Sequence, residues 1–261
     1  LSAHRTGEAG RDGVGLFIRF QLRFLGCLLF ILCVSNSSAS ASNLILKPDS
    51  YAHYIEHFNS MEDENVTNYI SNAESWNWLR KEIPLFDCPD HEVEEMYYFR
   101  WWSFRKHIVT TPDGFVFTEF LTPAPWAGDY NTIACAAGFH LMEGRWLRDQ
   151  RYVQDYIRFW LRGNGGKSQP KFHKFSSWFA AAVYDCYLVD HDKEFTVGLL
   201  KDLVADYHDW EQEHQTTNGL FWQYDVRDGM EESISGSRTV KNRWSASHAK
   251  YSRSGRWSRV T

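Results

Sequence analysis

Apolar positions along this chain fall mostly at helical spacing from about Asn43 onward. A candidate helix runs over 65–79 and ends near Pro84. The next is delimited by charge. Asp90, Glu92, Glu94 and Glu95 stand at its start and Arg105, Lys106 and His107 at its end, the order that suits the helix dipole. Its apolar stripe is Val93, Tyr97, Trp101, Phe104 and Ile108. Thr111-Pro112-Asp113-Gly114 then reads as a turn, and 115–120 as a short strand or extended segment. A helix over 132–147 carries Ala134, Ala136, Ala137 and Gly138, small enough to let a neighbour pack closely. Another over 149–161 repeats Tyr152, Tyr156 and Trp160 on one stripe. After Gly163-Asn164-Gly165-Gly166 comes a helix with Phe175, Trp178, Phe179, Ala182, Cys186 and Val189; the last carries Phe195, Leu199, Leu203, Tyr207 and Trp210. Only Asp190-His191-Asp192 separates these two, so an antiparallel pair is expected. Asn218-Gly219 ends the run in a turn.

Three helical hairpins emerge, at about 65–108, 132–161 and 175–213. Their uneven spacing and lack of a shared consensus argue against a regular solenoid. An all-α toroid of hairpins fits, with loops collected at one end and a short β excursion near 115–121.

Composition narrows the class. Apolar residues make up 43% and charged residues 23% of the 261 positions, which excludes wholly disordered or collagen-like chains. The aromatic content is unusual, with 12 Trp, 13 Tyr and 18 Phe. A net charge of −5 provides no global field for nucleic acid. Near the start, Arg19 and Arg23 precede the apolar run 24–34, and Ala39-Ser40-Ala41 closes a small-residue stretch. That order reads as a secretory signal peptide over residues 1–41, preceded by upstream sequence, with cleavage expected after Ala41. The alternative is an uncleaved anchor, but the run is short for a span and the arginines interrupt it. The mature product is expected to be exported, without stable membrane association. Asn65-Val66-Thr67 is a glycosylation sequon that fits this route. Two of the 5 Cys fall in the leader; Cys88, Cys135 and Cys186 read as ordinary buried thiols with at most one disulfide.

Candidate chemistry concentrates in 218–233, where Asp225, Asp228, Glu231, Glu232 and Arg227 lie beside Phe221, Trp222 and Tyr224. Glycoside hydrolysis needs one protonated carboxyl near the leaving oxygen and a second carboxylate across the ring. Aromatic walls raise the pKa of such an acid and offer faces to sugar C–H groups. The same segment also reads as a solvated acidic loop. A second candidate is Tyr97-Tyr98-Phe99-Arg100-Trp101-Trp102, whose aromatics occupy every face of a helix; burial on two sides is the competing explanation. In a third, 122–132, Trp126 and Asp129 are placed to clamp a sugar, unless Asp129 only caps a helix. The histidines show no H-E-x-x-H spacing and the cysteines no paired C-x-x-C, so neither metal nor cofactor is expected.

With those segments in view, the chain resembles the glycoside hydrolase domain typified by mannosylglycerate hydrolase, within the six-hairpin glycosidases. The resemblance spans about Glu64 to Lys241. It is carried by 95–102, by Pro125-Trp126-Ala127-Gly128 through Ile133, by Glu143-Gly144-Arg145-Trp146-Leu147, and by Gly219-Leu220-Phe221-Trp222 through Glu231. It implies an (α/α)6 barrel with its active site at one end, and inverting hydrolysis of a carbohydrate without a metal. Related enzymes carry the general acid as Asp in a Glu-Ser-Gly-x-Asp type motif. The matching Arg227-Asp228-Gly229-Met230-Glu231 puts Glu231 at the acid position, with Asp228 as its rival. Arg100, Trp101, Trp102, Trp126, Asp129, Trp222 and Asp225 are then the expected substrate-binding residues, converging near Glu231.

After Asn242 the tail has five Ser, four Arg, no acid and no helical stripe. With about three hairpins of six, and the family's base a Glu further toward the C-terminus, the chain reads as a truncated copy: 42–241 the N-terminal part of the domain, 242–261 a divergent tail. A sugar-binding pseudoenzyme and a helical scaffold for protein partners are the other readings.

Overall fold

The computed structural model describes residues 45–227 and 241–242. All but Ile45 belong to the unit Leu46–Thr261, which is mostly helical. Its α-helices among the described residues are α1 (Ala52–Ser60), α2 (Ser75–Glu82), α3 (His91–Lys106), α4 (Ala134–Gly144), α5 (Arg151–Arg162), α6 (Phe179–Asp190), α7 (Lys193–Gly198) and α8 (Leu200–His214). Strands β1 (Ile108–Thr111) and β2 (Gly114–Phe117) form a tight antiparallel hairpin, and β3 (Gln223–Tyr224) pairs with β4 (Lys241–Asn242). The leader, Asp228, Glu231 and the tail after Asn242 lie outside the described residues.

Helix α3 begins where the charge order placed it. The Asp90 carboxylate accepts from the backbone N–H groups of Glu92 and Val93, satisfying two donors that a helix start otherwise leaves unpaired. Its buried face includes Trp101, Phe104 and, just past its end, Ile108 of the predicted stripe but is wider than that stripe. Val93 is exposed, whereas Glu94, Tyr98, Trp101, Trp102 and Arg105 are buried. Polar residues enter the core because each is paired: Glu94 accepts from the Tyr54 hydroxyl at 2.8 Å and from the Cys88 N–H at 2.9 Å. Arg105 donates to the Ile70 carbonyl at 2.7 Å and to the Asn72 side chain. Tyr98 stacks on Tyr51 and Tyr54, with ring centres 5.0 and 5.5 Å away.

Of the helix expected over 65–79 and ending near Pro84, only the part from Ser75 forms, and it ends at Glu82. Residues 62–71 contain no helix, and α2 starts only at Ser75. Side chains compete with the helical ladder here: the Asn72 N–H donates to Glu64 at 2.6 Å, the Asn72 side chain to Glu62 at 3.0 Å, and Asn68 to the Lys106 carbonyl at 2.6 Å. The β excursion is also displaced. It begins at Ile108, and Phe115 and Phe117 pack on Tyr152 and Tyr156 of α5. Gly114 is required at the turn, with φ +122° and the Asp155 carboxylate where a Cβ would sit.

Helices α4 and α5 form the second expected hairpin. Helix α4 also meets α6 closely: a Cβ on Gly138 would come within 2.6 Å of the Trp178 ring, and the Cys186 thiol donates to the Leu141 carbonyl. The small residues of α4 serve this approach. The third hairpin turns at His191, in the left-handed region at φ 56°, with Asp192 capping α7 through the Phe195 N–H at 2.9 Å. Its second arm is broken at Leu199, where Arg162 takes the Gly198 carbonyl and the Asp202 carboxylate.

Candidate functional site

Past α8 the chain doubles back around Asn218-Gly219, with Gly219 at φ 77°. The Trp222 N–H donates to the His214 carbonyl at 2.9 Å, and the His214 ring Nδ1 donates in return to the Trp222 carbonyl at 3.1 Å. Next, 223–227 lies along the connector 168–176. The Gln223 amide donates to the His173 carbonyl at 3.4 Å, and the Ser176 N–H to the Arg227 carbonyl at 3.0 Å. Between this segment, the connector and the end of α8 is a cavity of about 460 Å³. Lys171, His173, Lys174, Asp209, Glu213 and Arg227 line it.

His173 is the centre of the charged wall. Its Nε2 lies 2.7 Å from the Asp206 carboxylate and its Nδ1 3.0 Å from that of Glu213. A neutral imidazole has one N–H, so the doubly protonated ring satisfies this geometry best. Burial opposes that charge, but the Asp206 hydrogen bond and the two carboxylates outweigh it and raise the His173 pKa. Asp206 is nearly enclosed, whereas Glu213 is about half exposed. Trp210 lies against His173 and His214, with ring centres 4.8 and 4.6 Å away. Burial lowers the pKa of His214 in spite of Glu213 nearby. At the rim, the ammonium of Lys174 is bound to the Trp126 carbonyl at 2.9 Å and that of Lys171 to the Ala127 carbonyl at 2.5 Å. Burial, then the charges of Lys171 and Arg227, press the Lys174 pKa down. The connector therefore joins the Trp222 segment to the Trp126 loop. Among the described residues no group of three His, Cys, Asp or Glu is placed to hold a metal.

The expected binding residues divide between two places. Trp222 packs against His214, and Arg227 lies over the Tyr224 ring. Trp126 is 50% exposed, on a loop that Asn131 holds through the Phe120 and Thr122 carbonyls and the Ala124 N–H. Asp129 is exposed and caps nothing; α4 starts after Ile133 without a side-chain cap. Arg100, Trp101 and Trp102 do not join them. Arg100 makes a two-pronged pair with Glu143 at the far end of α4, at 2.7 and 3.0 Å. An eleven-residue helix, about 16 Å long, separates that end from the Trp126 loop. Trp101 and Trp102 are core residues at 5% and 6% exposure, and the Trp102 indole donates to Asn59 at 2.8 Å. Their placement corrects the expectation of one convergent cluster. The side chain of Asp225, like Asp228 and Glu231, lies outside the described residues.

Sequence reasoning missed Asp206, Trp210, Glu213 and His214 as a group. The signal was present: positions four, seven and eight after Asp206 share one face of a helix. Nothing local marks His173, which joins them across 33 residues.

The family model for the mannosylglycerate hydrolase MGH1-like glycoside hydrolase domain matches residues 129–261. The chain belongs to this glycoside hydrolase family. The matched range starts at Asp129 and runs to Thr261, whereas the resemblance read from sequence spans about Glu64 to Lys241. A solved structure described as a sialidase is 52% identical over 74% of this chain, with a TM-score of 0.72. The match covers 18% of that chain, so this chain spans under a fifth of its length. No curated protein matches. Among the described residues no helix is long and apolar enough to cross a membrane.

Proposed function

We propose that this chain supplies a sugar-binding wall of a secreted glycoside hydrolase of six-hairpin type, acting by inverting acid–base hydrolysis. The observation that carries it is the 460 Å³ cavity, which opens beside Arg227, one residue before Asp228 and four before Glu231. A protonated Glu231 would donate to the glycosidic oxygen while a second carboxylate activates water from the opposite face. The two carboxyl groups of an inverting pair stand about 6.5–9.5 Å apart. Asp228 is the rival acid. Trp222 and Trp126 offer ring faces to the sugar, and Lys171, Lys174, Arg227 and protonated His173 suit one that carries a carboxylate. The name of the sialidase relative agrees with an acidic sugar. The close approach of α4 to α6 supports the toroid, in which alternate helices pack side by side.

Calorimetric titration with neutral and carboxylate-bearing oligosaccharides tests the binding half. Preference for the acidic sugars, lost in Lys174→Ala and Arg227→Ala, supports it, whereas equal affinity removes the acidic-sugar reading. Turnover is tested on a natural polypeptide long enough to carry the whole domain. Glu231→Gln should lower kcat by about 10²–10⁴, the usual range for an acid–base group. If Asp228→Asn abolishes turnover and Glu231→Gln does not, the acid is Asp228. Glycan binding without turnover in that polypeptide would establish the pseudoenzyme instead.

A further inference from the structure

The sequon at 65–67 is absorbed by neither the core nor the cavity. It lies in the loop between α1 and α2, where the predicted helix is absent and the backbone is without regular structure. This matters chemically, because a helical asparagine holds its amide against the preceding turn, whereas an irregular exposed segment presents it to an enzyme. Asn65 and Thr67 are both exposed. The loop is anchored on either side: Glu64 accepts from the Asn72 N–H at 2.6 Å, and Asn68 donates to the Lys106 carbonyl at 2.6 Å. Neighbouring asparagines are all engaged through their side-chain amides, Asn59 with Asn72 and Ser75, Asn68 with Lys106, Asn72 with Glu62, and Asn77 with Glu74. Among the described residues, Asn65 and Thr67 make no side-chain hydrogen bond. The loop is thus held in place while its acceptor amide and the hydroxyl two residues on stand free.

We infer that Asn65 is an N-glycosylation site, modified by a lipid-pyrophosphate-linked oligosaccharide during export. The Asn65 side-chain nitrogen gives up one proton and bonds to the sugar C1. The C1–O bond to the lipid pyrophosphate breaks, and the pyrophosphate leaves with the electron pair; nothing is oxidised or reduced. The inference rests on the secretory reading of residues 1–41. The glycan leaves the cavity open. Tyr69, four residues on, meets Tyr152 at the start of α5, whereas the cavity connector follows the end of that helix. Twelve residues of helix, about 18 Å, lie between.

The test is expression in a eukaryotic secretory host, once with the native leader and once with an unrelated cleavable leader, followed by intact mass and amidase digestion. The expected result is one glycan, removed by the amidase with conversion of Asn65 to Asp. It should be lost in Asn65→Gln and Thr67→Ala and retained in Thr67→Ser, which keeps the hydroxyl. Sugar binding at the cavity should be unchanged in Asn65→Gln. Glycan addition only behind the unrelated leader upholds the site and overturns the native leader. Folded protein exported behind either leader with Asn65 unmodified overturns the site.

Discussion

Two aromatic segments of similar composition meet opposite fates. In 97–102 the rings and Arg100 belong to a sixteen-residue helix packed from several sides, and Trp101 and Trp102 are sealed into the core. In 221–227 the rings follow a chain reversal: Phe221 is buried, Trp222 and Tyr224 stay half-buried, and Arg227 of the same segment lines the cavity. The same contrast holds for histidine. Burial pushes His140 down to about 3, so it is neutral in the fold; Glu119, 3.7 Å away, is too well solvated to reverse this. His173 is also largely buried, but it faces two carboxylates, which raise its pKa. Aromatic density within a packed helix marks burial, whereas aromatics beside a chain reversal and charged groups stay partly exposed.

The sharpest way to break this comparison is to exchange the two tryptophans' roles. Trp102→Ala should destabilise the fold by about 3–5 kcal/mol, the usual cost of truncating a large buried aromatic, as read by urea unfolding. Sugar affinity of the remaining folded fraction should not change. If affinity falls instead, Trp102 belongs to a binding face. Gly138→Ala tests whether the core end is as tightly packed as Trp178 requires. Overpacking there should cost about 1–3 kcal/mol, and a neutral result would mean the helices can part.

The histidines predict opposite pH behaviour. The unfolded His140 titrates near 6.5 but the folded ring does not, so stability should fall by up to about 1.4 kcal/mol per pH unit from pH ~6.5 toward 3. His140→Gln should flatten that slope. For His173 the folded pKa is raised, so its contribution is full below the unfolded value and fades as pH rises through the folded one. Asp206→Asn should reduce this alkaline loss; because burial also raises the Asp206 pKa, the acid limb should shift with it, unlike in His140→Gln. The smallest effect belongs to Trp222→Ala. Stacking contributes about 0.5–1.5 kcal/mol beyond burial, so sugar binding should weaken by roughly two- to tenfold. The melting temperature should move little, and a large drop would place Trp222 with Trp102 as a core residue.

What the sequence determined by itself was local. Charge order and the Asp90 cap located α3, helical spacing located α4 to α6, and Asn218-Gly219 located the reversal that builds the cavity wall. Each depends on neighbours within a turn of helix. The family resemblance was legible for the same reason, since its motifs are short contiguous segments. Tertiary contacts decided the rest. The buried face of α3 widened beyond its stripe because Glu94 and Arg105 found partners on other elements, and 62–71 left the helical state because its side chains bind across the chain. Trp101 and Trp222 diverged because burial depends on what packs above a ring, which spacing does not encode. His173 met Asp206 and Glu213 only when the connector folded onto α8, and that meeting is what raises its pKa against burial.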